Sequence, residues 1–292
     1  MVLYKLLKKA ADNLPSGFKP MARKLYYQDG HWAHPSMKKF GTVQDLYYWT
    51  SDSDLDTLLV LQNYFSALFP GLETATSGKV TMYSRNGILL GEKAFEVPRF
   101  GGAKVRVSSL LQEFDASAEN DHGVLEVYIA IPEQVVEHLR DQKSFYFWDR
   151  FYISYTNKMG QNCFVHGVDK THIYRHGEPD PIYWTTTPTN LEWSPETPVD
   201  IEDYAKFTVI MINRSSQEAG VTLTLSDIHD NSESWIASIP SKGVHRFVLS
   251  KDETKDLHPR ELRMKVTGMV SRYGRPMVFK QFSNGAISAM HC

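Results

Sequence analysis

Three histidines, an aspartate and a thiol crowd one short stretch of this 292-residue chain: Cys163, His166, Asp169, His172 and His176. Neutral imidazoles are ligands for zinc, copper, iron and nickel, and three of them can hold an ion with one position left open. An ion held that way would activate water or polarise a carbonyl. In an extended strand His172 and His176 share a face, and an intervening turn would bring His166 toward them. The spacing matches no established zinc pattern. The same residues also read as a strand-end histidine and two histidines on an exit loop.

A further imidazole, His291, is tied to this set by pattern. Gly160 is followed six residues later by His166, and Gly285 six residues later by His291. Either both rings were kept for packing after a duplication, or both face a cleft between two similar units. Clefts at such interfaces are favoured ligand sites. Aromatic residues Trp148, Trp184 and Trp193 would supply stacking area there, with His166, His291 and Asp169 as polar contacts.

Other clusters are plainer. His31 and His34 lie between Gly30 and Pro35, which makes a loop. Asp52, Asp54 and Asp56 alternate like the start of a calcium loop but lack its glycine and distant glutamate. They read as a solvated turn, with Asp54 as the cap. There is no glycine-rich phosphate loop and no Gly-x-Ser-x-Gly elbow. Cys163 and His166 are too close in sequence to form a thiol–imidazole pair across adjacent strands.

The elements that must position these groups are strands, and they come in two similar sets. Residues 58–63 form an apolar run ending on Asn63, and residues 208–213 form one ending on Asn213. Residues 79–84 and 221–226 both alternate with period two, the mark of a half-buried strand. Asn86-Gly87 supplies the positive φ that a tight hairpin needs. Residues 97–101 and 239–243 match around Pro98 and Pro240. An internal repeat of short strands implies an all-β fold: two tandem antiparallel β-sandwiches with a short helical N-terminal arm. The arm takes residues 1–56, with Trp32, Tyr47, Tyr48 and Trp49 as its apolar underside. The first unit takes 57–176, with a helical insertion at 132–142 whose apolar stripe is Val135, Val136 and Leu139. A proline-rich stretch, 177–203, packs against the surface as a linker, and the second unit takes 204–292. In cadence, residues 221–225 and 239–248 resemble small bacterial sandwich domains that bind partners or ligands, such as the sensory-rhodopsin transducer family. No residue is carried over from that likeness.

Composition narrows the function. The net charge of −2 speaks against a nucleic-acid binder that works by bulk electrostatics. No apolar run nears the ~20 residues of a membrane span. The basic, amphipathic residues 1–24 would instead dock on the body of the chain or touch an anionic membrane surface. Two cysteines make no disulfide framework and suit the cytoplasm. The leading expectation is a non-catalytic binding or scaffold protein. It would hold a small, sugar-like ligand or a protein partner in the cleft between the units, with no cofactor. The alternative is an enzyme with a divalent transition metal on His166, His172, His176 and His291. A third reading is a homo-oligomer paired through exposed strand edges.

Overall fold

The structure, a computed structural model, describes residues 40–116, 119–139, 151–166, 172–175, 189–194, 198–213, 215, 217–250, 252–270 and 276–291. The first half of the chain runs β1 (Phe40–Thr50), β2 (Leu55–Gln62), β3 (Thr76–Ser84), β4 (Leu89–Val97), β5 (Gly102–Arg106), β6 (His122–Ala130), β7 (Phe151–Asn157), β8 (Asn162–His166) and β9 (His172–Arg175). The second half runs β10 (Thr189–Trp193), β11 (Tyr204–Ile212), β12 (Ala219–Ser226), β13 (Ser232–Ile239), β14 (Val244–Leu249), β15 (Arg263–Val270), β16 (Met277–Phe282) and β17 (Ile287–His291). The protein is all-β. Its described strands form four antiparallel sheets, ordered β4-β3-β6-β1-β9, β5-β2-β7-β8, β10-β15-β12-β13 and β14-β11-β16-β17.

The two halves use the same pairings. The order β5-β2-β7-β8 corresponds strand for strand to β14-β11-β16-β17, and β4-β3-β6-β1 to β13-β12-β15-β10. One corner shows why Asn ends both apolar runs. Asn63 Nδ2 reaches the carbonyls of Thr74, Val97 and Pro98, and Asn213 Nδ2 reaches those of Gln217, Ile239 and Pro240. Their backbone N–H groups donate to Gly101 O and Gly243 O, each at 2.9 Å. An amide side chain thus satisfies buried carbonyls that no ladder serves.

Two cores hold the sheets together. The larger gathers Leu59 and Leu61 of β2, Val80 and Met82 of β3, and Val124, Leu125 and Val127 of β6. The smaller gathers Leu223 and Leu225 of β12, Met264 and Val266 of β15, and Val209 and Met211 of β11. The sheet β14-β11-β16-β17 serves both. Ile210, Ile212, Val244, Met277 and Phe279 belong to the larger core, while Val209, Met211, Phe247 and Val278 belong to the smaller. Alternate residues of β11 therefore face different halves, as period two requires.

Two expectations need correction. The arm does not extend to residue 56 as helix and loops: β1 lies inside a sheet between β6 and β9. Tyr47, Tyr48 and Trp49 are core residues of that strand, all but fully buried. The linker is not free of regular structure, since β10 pairs with β15 and Val199 bridges Leu262. Prolines at 188 and 195 flank β10 without entering it, so they punctuate the strand and do not forbid it. The halves share packing, because one sheet contributes to both cores. The helical insertion is present as Glu133–Leu139, with Val135 buried and the N–H groups of Val135 and Val136 donating to Pro132 O. Residues 1–39 and 140–142 lie outside the described residues.

Candidate functional site

Where the halves meet, a shallow cleft opens on the face of β11 that looks toward the first half. Register builds its floor. Thr208 is paired with Phe279 on β16 and Val248 on β14, Ile210 is paired with Arg246, and Lys206 with Gln281. These pairs share one face and line the cleft. The wall comes from the β1–β2 connection: Tyr48, Thr50, Asp52, Asp54 and Leu55. The interior holds about 50 Å³, room for only a few waters at roughly 10–15 Å³ each.

The wall is rigid because Asp52 caps it. Asp52 Oδ1 accepts from the N–H of Asp54 at 2.8 Å and of Leu55 at 2.9 Å, and Thr50 Oγ1 donates to Asp52 Oδ2 at 3.1 Å. The capping residue is thus Asp52 and not Asp54, the usual Asx-turn arrangement. Thr57 Oγ1 donates to Thr50 O at 2.7 Å and closes the hairpin from below.

Arg246 joins floor to wall. Its Nη2 donates to Asp121 Oδ2 at 2.9 Å, and its Nη1 lies 3.8 Å from Asp52 Oδ2. Asp121 is fixed in turn: its other oxygen meets His122 Nδ1, and its backbone carbonyl accepts from Ser51 N and shares the Thr50 hydroxyl proton with Asp52. Burial works to raise the Asp121 pKa, but His122 and Arg246 together hold it below the usual carboxylate range. Burial, helped by the Arg246 charge, pushes His122 and His245 below the ordinary imidazole value. Burial pushes the Tyr48 hydroxyl up to about 12, against the pull of Arg246. Around neutral pH the site holds a neutral imidazole in His122, a neutral phenol in Tyr48 and a charged guanidinium–carboxylate pair.

Apolar contacts seal the rest of the junction. The Tyr155 ring stands edge-on to Phe279 at 4.5 Å, and its hydroxyl donates to Tyr48 O at 2.8 Å. Phe279 also stands edge-on to Tyr48 at 5.9 Å. At the far end Val244 N donates to Arg85 O, and Lys242 Nζ sits 5.0 Å over the Tyr83 ring. At the near end Asn157 Nδ2 donates to Gly285 O at 2.9 Å, so the turns of the β7–β8 and β16–β17 hairpins touch.

The residues singled out in the sequence are distributed differently. His166 ends β8, paired with Tyr152, and His291 ends β17, paired with Met277. Strands β8 and β17 run side by side, which puts the two histidine positions on neighbouring strands. His172 begins β9, opposite Gln44, in a different sheet from His166. Asp169, His176, Trp148 and Trp184 lie outside the described residues. Trp193 ends β10, half-buried against the smaller core and away from the cleft lining. Among the described residues no cluster of His, Cys, Asp or Glu could hold a metal ion. Cys163 is half-buried, and burial pushes its thiol up to about 11. No described helix is long and apolar enough to cross a membrane.

Sequence reasoning missed Arg246, Asp121, His122 and Tyr48. The one local signal was an arginine on a strand whose alternate positions are apolar, Val244 and Val248 flanking Arg246.

No protein-family model matches the chain, and no curated protein matches it. Among solved structures it is similar to a β-glucuronidase of glycoside hydrolase family 2, at 11% identity over 86% of this chain and 24% of that one, with a TM-score of 0.21. It is also similar to a family 2 glycosyl hydrolase from Bacteroides cellulosilyticus, at 8% identity over 86% of this chain and 26% of that one, with a TM-score of 0.18. An anti-sigma factor domain-containing protein matches at 9% identity over 85% of this chain and 96% of that one, with a TM-score of 0.19. The chain spans about a quarter of the length of the two hydrolases. Scores this low decide nothing about activity. The class in view is an all-β protein with a polar cleft where its halves meet.

Proposed function

We propose that this is a non-catalytic binding protein: two copies of one β-sandwich module that hold a small polyhydroxylated, sugar-like ligand at their junction. The observation that carries the reading is the cleft itself, whose wall belongs to one half and whose floor belongs to the other. Its chemistry suits recognition by hydrogen bonds. Arg246 and Lys206 donate, Asp52 and Asp54 accept, and Thr208 and Gln281 do both, beside the apolar edge of Phe279. The interior takes one polar arm of the ligand, and the rest lies across the rim between Leu55 and Lys206. The twin asparagine corners and the matching strand orders support a duplicated module.

Isothermal titration with galactose, N-acetylglucosamine and glucuronic acid tests the reading. At least one sugar should bind, and Lys206→Glu, which reverses the charge of an exposed residue lining the cleft, should weaken binding about tenfold or more without lowering the melting temperature. Absence of heat with all three, or binding untouched by Lys206→Glu, would sink it.

A further inference from the structure

Strand β13 is an edge. It pairs with β12 along its whole length, from Ser226↔Ser232 to Ala219↔Ile239, and among the described residues no strand pairs with its other side. Every second residue of such a strand turns its N–H and C=O outward, unpaired by any ladder. Proteins guard these edges with lysine, proline, bulges or a covering element.

Several other edges among the described residues are guarded. β4, which holds the corresponding place in the first half, carries Glu92, Lys93 and Glu96, and the Phe114 ring presses against its Gly91. β10 is bracketed by Pro188 and Pro195 and carries Glu192. β5 carries Lys104 and Arg106. β8 and β17 lie beside each other.

Among the described residues β13 has none of these devices. Its sequence, Ser-Glu-Ser-Trp-Ile-Ala-Ser-Ile, holds no proline and no basic residue, and its single charge is Glu233 near one end. Trp235 and Ala237 pack inward against the smaller core. On the outer face the neighbours are hydroxyls, with Thr224 Oγ1 and Ser234 Oγ at 2.8 Å. In their midst Ile236 is 81% exposed, more than any other large hydrophobic residue described.

We infer that β13 is a dimerisation strand, and that its partner is the β13 of a second copy of this chain. Antiparallel pairing about a two-fold axis gives each copy the same contacts, so one strand serves as both halves of the interface. The register must keep like faces together. Centring it on Ile236 does so. Ile236 then meets Ile236 of the second copy, Ser234 meets Ser238, Trp235 meets Ala237, and Glu233 meets Ile239. No charge opposes a like charge, and β10-β15-β12-β13 continues across the axis as an eight-strand sheet. A neutral edge fits itself in this way. A basic or acidic partner would find only Glu233 to pair with.

Sedimentation equilibrium on the full chain across the micromolar range tests this. The unaltered protein should form dimers. Ile236→Lys places two ammonium groups face to face on the axis and should weaken the dimer about tenfold or more. Its exposed position leaves the melting temperature of the monomer unchanged. Leu89→Lys, on the β4 edge, should leave the dimer intact. The proposal falls if the unaltered protein stays monomeric throughout, if Ile236→Lys dimerises as tightly as the original, or if Leu89→Lys is the change that splits the dimer. None of these outcomes touches the cleft, so sugar binding stands or falls on its own experiment.

Discussion

Arg246 and Asp121 are 125 residues apart in sequence, yet their side chains meet at 2.9 Å across the junction of the two halves. The pair is mostly buried, with Arg246 at 22% and Asp121 at 34% side-chain exposure. Removing one partner leaves the other charged and poorly hydrated. Arg246→Met and Asp121→Asn should each cost about 1–3 kcal/mol. Urea melts of the two variants and their double mutant give the coupling, expected at about 1 kcal/mol or more. A coupling indistinguishable from zero would mean that the contact holds nothing together.

The two asparagine corners should fail alike. Asn63→Ala and Asn213→Ala each strip a donor from three carbonyls. Each loss should cost about 2–4 kcal/mol, given several unsatisfied buried groups. Chemical denaturation of both variants checks the match. A severe effect at one corner beside a silent one at the other would break the equivalence of the halves.

Acid should weaken the fold in two stages. The folded pKa values of His122 and His245 are depressed, so the unfolded chain binds more protons once pH drops below the ordinary imidazole value of 6.5. Their contribution is full above that value and declines below it. The joint variant His122→Gln, His245→Gln should flatten this first limb. Asp227 governs a second. It accepts from the backbone N–H groups of His229, Asn231 and His258 and from Asn231 Nδ2. Burial works against its charge, but these bonds hold its pKa at about 2, below the ordinary 3.8. Its stabilisation is present above 3.8 and vanishes as pH falls toward 2. Stability measured against pH should show that lower limb disappear in Asp227→Asn.

Cys163 should be a sluggish thiol. With its pKa near 11 against an ordinary 9.0, its thiolate fraction at neutral pH is about a hundredfold lower. In a Cys292→Ser background, reaction with a disulfide reagent should be slow and should speed up on unfolding. Rapid reaction in the folded protein would contradict the burial of the sulfur.

Much of this fold can be read from local pattern. The period-two runs of β3 and β12, the turns at Gly87, Gly160 and Gly285, and the paired asparagines all announce themselves within a few residues. Each of those glycines has φ between 74° and 83°, a conformation other residues resist. The first strand of each half escaped. Described residues of β1 are buried on both faces and so show no alternation, and β10 hides between prolines. The junction escaped for a different reason. Nothing near Arg246 in sequence predicts Asp121, because contacts that span two folded halves leave no periodic trace. The histidines drew notice by type and spacing. The sheets put His166 and His172 on different layers, and period and spacing say nothing about which layers will meet.

Neighbours along β11 answer to separate masters: Val209 and Met211 look one way, Ile210 and Ile212 the other. A shift of this strand by a single position would exchange the two inventories wholesale, offering each core the other's side chains. Most strands have one wet face on which such an error costs little. From Phe207 to Ile212 this one has none, so its alignment with β14 and β16 is locked from above and below, and any tolerance to insertion must be sought elsewhere in the molecule.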